Sequence, residues 1–122
     1  MGGFFGITSK HEAVLDVYFG TDYHSHLGTK TGGLAAYDEE LGLQRVIHNI
    51  ENSPFRTKFG GITNSMKGKA AIGCISDTDP QPLLFHSVCG TYAIMTTGII
   101  NNQEEIIDLV LKGAHGHLGA RT

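Results

Sequence analysis

Apolar and polar positions alternate between two periods along the chain. Gly3–Thr8 is a short apolar segment in which Phe4, Phe5 and Ile7 predict a buried strand. Ser9-Lys10-His11-Glu12 has capping-box spacing, with Ser9 as N-cap and Glu12 reaching back to its backbone. The helix it predicts carries Val14, Leu15, Val17, Tyr18 and Phe19 on a wide apolar face, and Gly20 is its expected stop. After a polar stretch at 21–33, the apolar runs Leu34–Tyr37 and Leu43–Ile47 flank Asp38, Glu39, Glu40 and Gly42, a hairpin signal with a solvated acidic tip. Pro54 is expected at the first position of a short helix that Gly60-Gly61 ends. Ala70–Ile75, Leu83–Phe85 and Tyr92–Thr96 are strand candidates, the last two joined around Cys89-Gly90. Asn101 or Asn102 then caps a helix through Leu111, with Ile106, Ile107, Val110 and Leu111 on its apolar face and Gly113 after it. The tail His115–Thr122 has no periodicity and is expected to be loose.

Strand, helix, hairpin, short helix, strands and helix make an α+β order, unlike a regular βαβ alternation. No internal repeat or boundary divides the 122 residues, so a single domain over 1–122 is expected. The net charge of −3 argues against a nucleic-acid surface. No stretch approaches the ~18 apolar residues of a membrane span, and residues 1–8 lack an export signal. A soluble, reducing, cytoplasmic setting is therefore expected, with Cys74 and Cys89 as free thiols.

Several segments, in order, resemble a known family, the class II glutamine amidotransferases of the amidophosphoribosyltransferase kind. Met1-Gly2-Gly3-Phe4-Phe5-Gly6-Ile7 is similar to the family's opening Met-Cys-Gly-Ile-Phe-Gly-Ile. His26-Leu27-Gly28-Thr29-Lys30-Thr31-Gly32-Gly33-Leu34 resembles its His-Arg-Gly-Gln-Asp-Ser-Ala-Gly-Ile. Ile72-Gly73-Cys74-Ile75-Ser76 resembles Ile-Gly-His-Thr-Arg, and Asp79-Pro80-Gln81-Pro82 resembles Asn-Ala-Gln-Pro. Thr96-Thr97-Gly98-Ile99 falls where the family has His-Asn-Gly-Asn. The resemblance implies the first part of an N-terminal nucleophile hydrolase fold, an αββα sandwich. It also implies a phosphoribosyltransferase domain as the C-terminal partner in a longer protein, and a glutamine-like small molecule as ligand.

The groups this chemistry uses are replaced. The family's nucleophile is an N-terminal cysteine whose freed α-amine acts as base; Gly2 stands there. Its carboxylate-gripping arginine is Ser76 here, and a serine has no charge for a bidentate pair. The arginine of its His-Arg-Gly loop is Leu27. Its oxyanion donor, a group typically worth about 3 kcal/mol, is Thr97, while Gly98 remains. The expectation is a degenerate pocket of Gly2, Leu27, Ser76, Thr97 and Gly98 without catalytic residues or cofactor: a domain whose glutaminase activity is lost. Two alternatives stand beside it, a non-catalytic small-molecule-binding or interaction module and part of a longer, active phosphoribosyltransferase.

Other clusters point to less. His24 and His26, and likewise His115 and His117, have i, i+2 spacing but no third ligand, so no metal site is expected. Cys74, in an apolar strand, is expected to be a small core residue, and Cys89 to pack at a turn. Thr29-Lys30-Thr31-Gly32-Gly33 lacks phosphate-loop spacing. A half-sandwich would leave a sheet edge or apolar face open, which implies pairing between chains as a homo-oligomer.

Overall fold

The computed structural model describes residues 2–27 and 30–113. Among these residues six strands, β1 (Gly3–Thr8), β2 (Thr31–Asp38), β3 (Gly42–Asn49), β4 (Ala70–Ser76), β5 (Leu83–Ser87) and β6 (Gly90–Ile94), are joined by helices α1 (Val14–Tyr23), α2 (Phe55–Lys58) and α3 (Gln103–Gly113). Strands β1-β4-β2-β3 form one antiparallel sheet in that order, and β5-β6 form a separate hairpin. The mixed α+β order expected from the sequence is the one observed.

Alternation divides the four-stranded sheet into two faces. On the inner face the rows are Gly3–Ile75–Gly32–His48, Phe5–Gly73–Leu34–Val46 and Ile7–Ala71–Ala36–Gln44. This face carries the core, in which Val14 and Val17 of α1, Phe55 and Phe59 around α2, Ile62 and Met66 bury Leu34, Ala36, Ala71 and Ile75. The Phe55 and Phe59 rings stack with centroids 4.4 Å apart, and Phe55 lies where a side chain on Gly32 would begin. Glycine sets the helix-to-sheet distance in the same way. A Cβ on Gly73 would strike the Thr21 hydroxyl, and one on Gly3 would fall 2.9 Å from the His24 ring.

Three local expectations are corrected. The Ser9–Glu12 capping box does not form: Glu12 accepts the Gly68 N–H at 2.7 Å, and Ala13 donates to the Gly68 carbonyl at 2.8 Å. The acid that would have capped the helix is used to hold the turn before β4, and α1 starts at Val14. Gly20 does not stop α1 but lies inside it, where the Phe5 ring occupies the space of a side chain. Pro54 precedes α2 in an extended conformation instead of opening it.

The hairpin of β2 and β3 turns as its sequence predicts. The Asp38 carboxylate accepts the Glu40 and Leu41 N–H groups at 3.0 and 3.1 Å, and Gly42 takes φ +74°. Helix α3 forms after Asn102, whose carbonyl accepts the Ile106 N–H. Its apolar stripe is only partly covered among the described residues: Ile107 is half-buried, Ile106, Val110 and Leu111 are about half exposed, and the neighbouring Leu109 is 72% exposed. The expected loose tail at 115–122 lies outside the described residues.

The glycine contact beneath α1 gives a direct test. Gly73→Ala should destabilise the protein by about 1–3 kcal/mol in urea unfolding, because the added methyl is forced against Thr21 and Leu34. A neutral or stabilising result, as strand propensity alone would give, would contradict this packing.

Candidate functional site

The outer face of the sheet carries the rows Phe4–Cys74–Gly33–Ile47, Gly6–Ile72–Ala35–Arg45 and Thr8–Ala70–Tyr37–Leu43. Its cover is uneven. Toward the Ala70 end lies an open groove of about 640 Å³, walled on one side by Thr91, Tyr92 and Ala93. Toward the Ser76 end the Asp79–Pro82 loop and residues 95–98 close over the strands. A Cβ on Gly33 would strike the Gln81 carbonyl, and Met95 lies 4.0 Å from the corresponding position on Gly6. Arg45 donates to the Pro82 carbonyl at 3.2 Å, pinning the loop to β3.

Of the five positions expected to form a pocket, Gly2, Ser76, Thr97 and Gly98 lie toward this closed end. Gly2 lies against the end of β4, where a Cβ would strike the Ile75 carbonyl and come within 3.6 Å of the Ser76 Cα. Ser76 is buried; its hydroxyl donates to the Asp79 carbonyl at 2.9 Å and accepts the Thr78 N–H at 3.2 Å. It therefore organises the loop that follows β4 and does not present a free polar group. β2 starts beside it, with the Thr31 hydroxyl donating to the Ser76 carbonyl and the Lys30 N–H to the Asp77 carboxylate, each at 3.2 Å. Thr97 and Gly98 line a cleft of about 560 Å³ with Thr78, Asp79, Thr96 and Ile99. Gly98 takes φ +144°, a backbone state that a side chain disfavours. Among the described residues the cleft lining includes no lysine or arginine with which to grip a carboxylate. Leu27 ends a single 3₁₀ turn, Ser25–Leu27.

Cys74 sits beneath this assembly, fully buried, with the Thr97 side chain at its thiol. Burial pushes the thiol up from 9.0 to about 11, and the contact with Thr97 pulls it partly back. The thiolate is the nucleophile, so Cys74 is inert near neutrality. Cys89 is exposed near the β5–β6 turn, not packed as the sequence suggested.

The histidine pair does not share a strand face. His24 follows α1 and turns its ring to Gly3, whereas His26 lies in the 3₁₀ turn. Among the described residues no three metal-capable side chains meet, and His115 and His117 lie outside them. Sequence reasoning assigned no role to Gln81. It is 1% exposed, and its side-chain oxygen accepts the Thr96 N–H at 2.7 Å. The available signal was a polar residue between two prolines in a loop linking two apolar strands.

No protein-family model matches the chain, and no curated protein or solved structure matches it either. No helix among the described residues is long and apolar enough to cross a membrane.

Two measurements follow from the thiol environments. An aromatic disulfide reagent at pH 8 should titrate Cys89 rapidly and Cys74 only after denaturation; fast reaction of both in the native state would contradict the burial of Cys74. The unfolded thiol ionises near 9 and the folded one only near about 11. The unfolded state thus holds fewer protons in that interval, and stability should fall as pH rises from about 9 to about 11. Cys74→Ala should flatten that part of the profile, and an unchanged slope would reject the assignment.

Proposed function

We propose that the chain is the leading part of a class II glutamine amidotransferase-like domain, of N-terminal nucleophile hydrolase type, that has lost glutamine hydrolysis. The observation that carries this reading is the gathering of Gly2, Ser76, Thr97 and Gly98 at one end of the sheet. These are the positions at which the resemblance puts the nucleophile, the carboxylate clamp and the oxyanion hole. The architecture supports it as well: helices cover one face of the first sheet, and a second, partial sheet begins over the other. Such an arrangement suits the front portion of an αββα sandwich.

The chemistry at these positions runs against turnover. Gly2 offers no nucleophile, and its backbone lies so close to the Ile75 carbonyl that a side chain there has no room. Ser76 spends its hydroxyl on Asp79 and Thr78. Cys74 is a thiol instead of a thiolate at neutral pH. Gly98 keeps the backbone freedom of an oxyanion loop, so the cleft retains a shape that can hold a small polar molecule. In a longer protein this domain would precede a phosphoribosyltransferase and act on it as a support or ligand sensor. A stand-alone binding module is the second reading, favoured by the persistence of the cleft without its reactive groups.

Purified protein should release no ammonia from glutamine above the buffer rate, and Gly2→Cys should not restore release. Appreciable turnover by either protein would sink the proposal. A thermal-shift series with glutamine, glutamate and phosphoribosyl pyrophosphate separates the readings. A bound ligand at about 100 times its Kd should add ~2.7 kcal/mol, and no shift with any of the three favours the stand-alone module.

A further inference from the structure

Two segments roof the buried Cys74–Gly33 pair on the outer face of the sheet. One is the Asp79–Pro82 loop, whose Gln81 carbonyl lies over Gly33. The other is residues 95–98, with Met95 over Gly6 and Thr97 over the thiol. The first segment is fixed at its base by Ser76 and Arg45. The second differs: residues 96–100 lie outside helix and strand and are exposed to solvent. The Gln81 side chain, buried beneath both, joins them through its bond to the Thr96 N–H. A buried amide oxygen without a donor is costly, so this bond resists opening from either side.

We propose that Gln81 is the positioning residue of the cleft, a latch whose side-chain oxygen holds Thr96 so that Thr97 and Gly98 stay closed over Cys74. Release of the latch frees the cleft wall that faces Thr78 and Asp79 and gives solvent a route to the thiol. Closure of the cleft and protection of Cys74 are thereby one event. The inference goes beyond the reading of a lost glutaminase and holds for whatever the cleft binds.

The test uses a Cys89→Ser background, so that Cys74 is the only thiol. Gln81→Met keeps approximate size and removes the acceptor. Amide hydrogen exchange and iodoacetamide alkylation are followed together. In Gln81→Met, exchange at Thr96 and alkylation of Cys74 should each rise about tenfold, the loss of one ordinary net hydrogen bond. Amides of β2 and β4 should hold their rates. Thr96→Pro removes the donor from the exposed side and should raise alkylation of Cys74 equally, which keeps the test decisive if Gln81→Met fails to fold. Unchanged rates in Gln81→Met, or equal acceleration across the whole sheet, would each overturn the latch. Neither readout involves glutamine, so its failure is distinct from failure of the glutaminase reading.

Discussion

The seating of α1 on β4 is the constraint on which the rest depends. Thr21 over Gly73, His24 over Gly3 and the Phe5 ring over Gly20 bring helix and sheet into a contact that side chains at these glycines would prevent. That contact fixes where the chain enters β1 and so places Gly2 beside Ile75 and Ser76. It also determines which side of the sheet receives the core. With α1, Phe55 and Phe59 on the inner face, the outer face of β4 is left for Cys74 and the loops that close over it.

The outer face is consequently of two kinds. At the Ser76 end polar bonds organise the cover: Ser76 to Asp79, Arg45 to Pro82, Gln81 to Thr96. At the Ala70 end the surface is mostly small and apolar and stays open as a groove. At the first, these bonds specify the loop geometry closely; the second keeps apolar surface exposed, as does part of the α3 stripe.

Much of this was legible in the sequence, and the misses have definite causes. β1 was delimited by its apolar run, and the β2–β3 hairpin by the acidic tip and Gly42. The strands flanking Cys89-Gly90 were visible for the same kind of local reason. The start of α1 was missed because Glu12 has a distant partner, Gly68, that competes with the local cap. Gly20 misled because its role is to admit the Phe5 ring, a tertiary need that local rules do not show. The α3 stripe was legible, its partial exposure was not. At the site, ordered motifs marked Gly2, Ser76, Thr97 and Gly98 individually. Their gathering arises from the β1–β4 pairing and the loop after β4, and Gln81 stood in a matched segment, Asp79-Pro80-Gln81-Pro82, without a role attached to it.

The pairing of β1 with β4 has a kinetic consequence. Glu12 and Gly68, which stitch the two strands at one end, are 56 positions apart, whereas β2 and β3 are joined by a turn of three residues. Loop-closure entropy grows with the length of chain enclosed, so the hairpin costs less to close than the β1–β4 pairing. Gly2, set beside Ile75 and Ser76 by that pairing, depends on the most non-local contact among the strands.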